Sequence, residues 1–315
     1  FYRAETYYRC YRFDDAQEAF EAYLNNNPTN TSNIEQAHAH LAKCTLGSRL
    51  VSRVNDVVIF DSLWVRKADF FNMTADNLPQ RFPAYLARRV SVSDTLATFV
   101  NERGDRRIVC RSDTSQRHLY QHERLLDTWS DGERLSDKVN IDADVNFPFL
   151  MDDGVTLYFA TRGSASMGGY DIMMTRFSTT LGDYLTAENV GFPFNSTSDD
   201  YLMAVDEARH IGWFVTDRGA DTAHVVVYAY IVNDETRVLR DMPDSEVRAR
   251  ARLDNVAFGQ APDSMSDTSV TTDHHTHSFT FVVNDTLVYH EMTDFLDSTA
   301  RADFATIQQM LTEQE

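Results

Sequence analysis

The chain has 315 residues, 43% of them hydrophobic, which is room for a large core and, by length, about two domains. Acidic residues number 48 against 29 basic ones, a formal net charge of −19. That field repels nucleic-acid phosphates and anionic lipid surfaces, so nucleic acid is not an expected partner. No run approaches the roughly 18 apolar residues of a membrane helix, so no transmembrane segment is expected.

The chain opens on Phe1 inside a helical pattern, without Met, and ends at Glu315 inside another. A chain trimmed at both ends is expected, with any targeting segment or membrane tether upstream of Phe1. Cys10, Cys44 and Cys110 are an odd, scattered set, neither a disulfide framework nor a zinc ligand set, and read as buried small hydrophobes. A Cys10–Cys44 bridge between neighbouring helices is conceivable but unsupported.

Residues 1–53 read as helical. Ala4, Tyr7, Tyr8 and Tyr11, then Ala16, Ala19, Phe20, Tyr23 and Leu24, follow the i, i+3, i+4 spacing of one helix face. Arg12 to Asp15 makes a tight connection, with Asp14 or Asp15 placed to cap the second helix, and Pro28 stops it. A third helix starts near Ser32, where Glu35 completes a capping box, and runs through Ile34, Ala37, Leu41 and Cys44 to about Val51. The order Ala16-x3-Phe20-x2-Tyr23-x4-Pro28 resembles the second helix of a tetratricopeptide repeat. This is about one and a half repeats, so either repeats precede Phe1 or the segment packs on the rest of the chain. A partner-binding groove and a structural cap are both open readings for it.

Residues 54–292 read as β structure. Val57 to Phe60 and Leu63 to Val65 come first, and three stretches then repeat one another. In the middle one, Asn146 to Leu150 is a strand, Asp152-Asp153-Gly154 a hairpin turn, and Thr156 to Ala160 the returning strand. Gly168-Gly169 leads into the next strand, Tyr170 to Met174, and Tyr184 to Gly191 trails it. Arg103-Gly104 lies 50 residues before Asp153-Gly154, and His118 to Tyr120 lies 53 before Asp171 to Met173. Trp213-Phe214 lies 55 residues after Tyr158-Phe159, and Asn195 follows Asn140 by the same step. Four short strands in each unit of about 50 residues is the pattern of a propeller blade.

Asp153 to Phe159, followed by Gly168-Gly169-Tyr170-Asp171-Ile172, resembles the WD40-like (TolB-type) β-propeller repeats of Bacteroidetes envelope proteins. The Asn140 to Pro148 lead-in and the trailing Asn189-Val190-Gly191-x3-Asn195 resemble them too. The resemblance covers about residues 95–232 and implies a mainly β fold. A propeller of about five blades, three clear in sequence, would follow a short tetratricopeptide-like segment. It makes Asp153, Gly154, Gly168, Gly169 and Asp171 a structural blade motif. His118 and Val226 stand where Asp171 does, and the third stretch lacks a Gly at its first turn, which argues for architecture rather than a repeated ligand site.

Asp244 to Leu253 reads as a short helix. Ser278 to Val283 with Thr286 to Tyr289 reads as a hairpin that, with residues 57–66, would complete the ring. Residues 293–315 read as a C-terminal helix, with Ala300, Phe304, Ile307 and Leu311 on one face.

Chemistry is sparse. His275 and His277 would share a strand face and are the candidate metal ligands, but no Cys or second His pair is placed to complete a shell, and a solvated loop is expected. Asn140, Asp142, Asp144 and Asn146 alternate oxygen donors but lack the glycine and closing glutamate of a calcium hand. Ser164-Ala165-Ser166 has no nucleophile-elbow context, and Arg248, Arg250 and Arg252 read as solvated helix surface. No P-loop or dinucleotide fingerprint occurs, so no catalytic residue and no cofactor is expected. Asp followed by Ser or Thr at Asp61, Asp94, Asp221, Asp263, Asp285 and Asp297 resembles the O-glycosylation acceptor pattern of exported Bacteroidetes proteins.

The expectation is a non-enzymatic interaction or scaffold protein, periplasmic or outer-membrane-associated, with protein partners in the cell envelope. Relatives that serve outer-membrane secretion machinery suggest a link to it. The alternative is a propeller whose central funnel binds, or hydrolyses, a glycan or peptide.

Overall fold

A computed structural model describes residues 1–113, 116–142, 144–233, 238–254 and 259, with the backbone of 281–284 and 287–289. The chain divides into two compact units, Phe1–Ser264 and Met265–Glu315.

Three helices, α1 (Tyr2–Arg9), α2 (Phe13–Asn25) and α3 (Thr31–Val51), follow the apolar periodicity and bury Tyr8, Ala16, Phe20, Ala37 and Cys44 in one cluster. Their caps differ from expectation. Neither Asp14 nor Asp15 caps α2, which begins at Phe13 behind Arg12; both carboxylates lie in its first turn, where they complement the helix dipole. Asn30, not Ser32, caps α3, its Oδ1 accepting the Asn33 N–H at 3.0 Å. Asn is as good a cap as Ser and here stands the required three residues before an open amide. Gly47 on α3 is where the Phe13 ring arrives: a Cβ there would lie 2.6 Å from the ring. The three cysteines are free thiols.

Beyond the helices the described chain is mostly β, in antiparallel sheets joined by a few short helices. It runs through β1 (Ile59–Arg66), α4 (Lys67–Phe70) and α5 (Ala84–Arg89) into the first sheet. That sheet holds β2 (Val90–Ser93), β3 (Leu96–Val100), β4 (Arg106–Asp113), β5 (Gln116–Leu125) and β6 (Thr128–Trp129) in order, with β7 (Glu133–Arg134) also on β5. The second holds β8 (Val145–Leu150), β9 (Thr156–Thr161), β10 (Asp171–Ser178) and β11 (Asp183–Tyr184), with β12 (Glu188–Asn189) on β10. The third holds β13 (Asp200–Asp206), β14 (Ile211–Thr216) and β15 (His224–Ile231).

The fourth strand of the third sheet is β1, paired with β15 from Ile59 opposite Tyr230 to Arg66 opposite His224. Residues 59–66 thus find their partner in the third repeat. The hairpin expected near the C-terminus forms as β16 (Phe281–Asn284) and β17 (Leu287–Tyr289), in the second compact unit. Helix α6 (Asp244–Arg252) forms where expected, but Arg252 is not mere solvated surface, since its Nη1 donates to the Cys10 carbonyl at 2.9 Å. The helix expected over 293–315, and His275 and His277, lie outside the described residues. Among the described residues, no helix is long and apolar enough to cross a membrane.

Neighbouring sheets pack through first strands: β8 lies against β3, β4 and β5, and β13 against β8, β9 and β10. β13 and β14 are buried along their whole length. One face of the third sheet meets the second through Met203, Phe214 and Tyr230, which pack with Ile172 and Phe194. The other meets the segment around α4 and α5, where Phe70 packs on Tyr201 and Tyr85 stacks on Trp213 at 5.5 Å.

Two equivalent side-chain clamps tie the repeats. Asn140 Oδ1 accepts the Leu119 N–H at 2.8 Å, and its amide donates to the Leu119 carbonyl at 3.2 Å. Asn195 does the same to Ile172, at 2.7 and 2.8 Å. Each clamped carbonyl also takes a backbone N–H, from Leu135 and Val190 respectively. The first hairpin turns also correspond. Gly104 and Gly154 hold φ of +67° and +68°, and His210 takes a φ of +54° where the third repeat lacks glycine.

Two stability predictions follow from these turns and clamps. Replacing Asn195 by Leu orphans the buried Ile172 N–H and should lower the unfolding free energy by about 2 kcal/mol in a urea titration. Gly154→Ala meets no atom within 4 Å, so its cost should be the left-handed backbone alone, about 1 kcal/mol.

Candidate functional site

The blade-motif residues separate into two groups. Asp153 and Gly154 sit at the exposed β8–β9 turn, where the Asp153 carboxylate accepts the N–H groups of Val155 and Thr156, both at 2.8 Å. Gly168, Gly169 and Asp171 lie at the other end of the sheet, since Asp171 pairs with Thr161 while Thr156 pairs with Arg176. There they form a single junction around the buried Asp171 carboxyl. Asp171 accepts the Met167 and Gly168 N–H groups at 3.0 and 3.2 Å and the Asn189 amide at 2.8 Å.

The two glycines let the third sheet's lead-in approach. A Cβ on Gly168 would strike the Ser198 backbone, and one on Gly169 the Asp199 carboxylate. From the opposite side the helices dock on the same loop. Tyr8 donates to the Met167 carbonyl at 2.6 Å, and Lys43 to the Gly168 carbonyl at 2.9 Å. Tyr11 and Phe13 pack their rings against Phe192 beside it.

Burial governs the charges at this junction. It pushes the Asp171 carboxyl up to about 7, helped by the charge of Asp200 and opposed by the three donors. Asp200 is pushed up to about 6 by burial against the opposing pull of Arg218, whose Nη2 lies 3.1 Å away. Arg218 also donates to the carbonyls of Pro193 and Phe194, at 2.6 and 3.0 Å. These groups are occupied in holding the fold together.

The oxygen-rich run before β8 is likewise engaged internally. Asn146 accepts the Ala97 N–H at 3.0 Å, Asp142 the Thr161 hydroxyl at 3.0 Å, and Asp144 the Tyr170 hydroxyl. Ser166 donates to the Thr161 carbonyl at 2.7 Å.

An open space of about 1050 Å³ lies between the C-terminal half of α3, the outer part of the second sheet and one end of the third. Its lining includes four thioethers, Met151, Met173, Met174 and Met203, with the rings of Tyr158, Phe194 and Tyr230. Exposed Arg49, Arg53, Asp56 and Glu188 also border it. Burial pushes the Tyr158 hydroxyl up to about 12 and raises that of Tyr230 well above its ordinary value, so both stay neutral in the physiological range. Polar and apolar groups share the lining evenly, and charges of both signs border it.

Sequence pattern places Tyr158, Met173, Met174 and Asn189 in blade strands and motif but does not mark them as a site. The methionines read as strand core, and two of them, Met173 and Met203, are indeed buried. What sets them apart is that they share an open space with the end of α3 and the linker after it, and sequence spacing carries no trace of that. No protein-family model matches the chain, and no curated protein matches it.

The buried carboxyls generate a pH prediction. Asp171 and Asp200 keep their protons in the fold at pH values where the unfolded chain, with an ordinary value near 3.8, has lost them. Their stabilising contribution is therefore complete below about pH 3.8 and is lost as pH rises through about 6 to 7. In urea titrations between pH 4 and 8, the difference in stability between parent and Asp171→Asn should shrink as pH rises; a constant difference would contradict the shifted carboxyl.

Proposed function

We propose that this chain is a non-catalytic protein-interaction module of the bacterial cell envelope, built on propeller-type sheets and acting as a scaffold that holds a partner segment in the methionine-lined cleft. The observation that carries this reading is the cleft itself. Thioethers and tyrosine rings, interleaved with an equal share of polar groups, line a space between two layers fixed to each other by the Asp171 junction. Such a mixed surface suits a protein segment that presents both apolar side chains and hydrogen-bonding groups.

The propeller reading draws support from the three successive antiparallel sheets, each packed on the next through its first strand, and from the Asn140 and Asn195 clamps at one repeat's spacing. The envelope location, periplasmic or outer-membrane-associated, and the link to secretion machinery rest on the resemblance of the blade motif alone. Where the sheets converge, Phe70, Phe147, Phe149 and Tyr201 fill the space with packed rings. That packing favours the cleft over a central funnel as the place where a partner binds.

A photo-crosslinking amino acid at Met174, on the cleft wall, tests the reading in native envelopes, with Arg103 on a distant turn as the control position. The expected outcome is a discrete protein adduct from Met174 and none from Arg103, weakened about tenfold or more by Met151→Glu at the half-buried cleft edge. A glycan adduct, or equal labelling from both positions, would sink the proposal.

A further inference from the structure

Burial divides the methionines among the described residues into two sets. Met73, Met167, Met173 and Met203 are at most 4% exposed, closed off from water inside the packed layers. Met151, Met174 and Met242 are half-buried. Two of these three, Met151 and Met174, line the cleft, whereas Met242 lies just before α6 and away from it. A small reagent dissolved in water therefore meets the thioethers of the cleft while those inside the layers stay shielded.

Strand register fixes what surrounds Met174. On β10 it stands opposite Tyr158 of β9 and, on its other side, opposite Glu188 of β12. Opposed residues of an antiparallel pair share a face, with Cβ atoms about 5 Å apart. The thioether thus sits between a half-buried ring and an exposed carboxylate. Met151 lies close by, its N–H donating to the carbonyl of Thr156, two residues before Tyr158. A thioether makes no hydrogen-bond demand on such neighbours. A sulfoxide is polar, and at position 174 it sets an acceptor oxygen beside the acceptor-only carboxylate of Glu188.

We propose that the cleft is redox-sensitive: hydrogen peroxide converts Met174 and Met151 to sulfoxides, which releases the partner segment, and reduction restores binding. This inference rests on the cleft being the place where a partner is held. Each oxidation takes two electrons from sulfur. An S–O bond forms as the peroxide O–O bond breaks, and the second oxygen leaves with both protons as water. In the reverse step a dithiol supplies two electrons and two protons, giving back the thioether with water and a disulfide. The fold is spared, because the thioethers that hold it are the shielded ones. Met203 packs with Phe214 and Tyr230 inside the third sheet's interface, and Met167 lies buried under the helices.

The test uses the purified full chain carrying a photo-crosslinking amino acid at Arg53, on the exposed border of the cleft. It is treated with hydrogen peroxide, freed of it, and added to envelope extract. Peptide mass mapping should find sulfoxide at Met151 and Met174 about tenfold or more sooner than at Met73, Met167, Met173 or Met203. The protein adduct formed by the untreated chain should fall about tenfold or more after oxidation and return after treatment with methionine sulfoxide reductase and a dithiol. Met151→Leu/Met174→Leu, which keeps side-chain volume, should hold its adduct through peroxide treatment, and Met242→Leu should lose it as the parent does. Should the double variant fail to fold by circular dichroism, Met174→Leu alone carries the comparison. An adduct unchanged by oxidation overturns the redox switch and leaves cleft binding standing, whereas no adduct from the untreated chain removes the binding reading and the switch together. Equal oxidation of the buried methionines, or unfolding of the oxidised chain, would also overturn it.

Discussion

The Asp171 carboxylate holds the loop on which three parts of this molecule meet. By accepting the Met167 and Gly168 N–H groups it turns the carbonyls of the same two residues outward, where Tyr8 and Lys43 of the helical layer find them. On the other side, the bare Cα atoms of Gly168 and Gly169 admit the backbone of Ser198 and the side chain of Asp199, which lead into the third sheet. A methyl group at either glycine has nowhere to go, and a residue unable to accept two backbone donors at position 171 leaves both orphaned in a dry interior. The helical layer, the second sheet and the third sheet are positioned by this one loop.

The same junction explains how a strongly acidic chain tolerates buried charge. Asp200 is paired with Arg218 and also accepts the Ser196 N–H, so its oxygens are not left to bear desolvation alone. Arg218 in turn satisfies the carbonyls of Pro193 and Phe194, which carry no sheet partner of their own in that loop. Breaking a buried pair of this kind costs more than the pair contributes, because the survivor is stranded. The network therefore acts less as a source of stability than as a lock on one arrangement of the two sheets.

The cleft and the arginine-bearing face of the first sheet are consequences of that arrangement. The cleft lies where the end of α3 and the linker after it are seated beside the second sheet, with Met174 half-buried and Met173 and Met203 buried in its wall. The arginine face of the first sheet has a simpler origin, the two-residue alternation of β4 and β5 with only one side committed to β8. The cleft mixes thioether and ring surface with polar groups; on the first sheet aromatic rings set the guanidinium planes.

Local chemistry made much of the fold legible from residues alone. Alternation marked the strands, the i, i+3, i+4 rows marked α1 to α3, and Gly104 and Gly154 marked the turns, because each depends on neighbours a few residues away. The repeat step also predicted that Asn140 and Asn195 would correspond, and their matching clamps on Leu119 and Ile172 bear this out. Cap positions were less secure, since Asn30 and Ser32 are near-equal competitors and only the seated helix selects one. The partner of β1 lies more than 150 residues along the chain, and such pairing is chosen by what remains uncovered once the other strands have assembled. Tertiary packing alone decided the cleft and the contacts that the Asp171 loop makes with the helices and the third sheet. Each depends on which distant surfaces exclude water, and that is a property of the assembled layers rather than of any stretch of sequence.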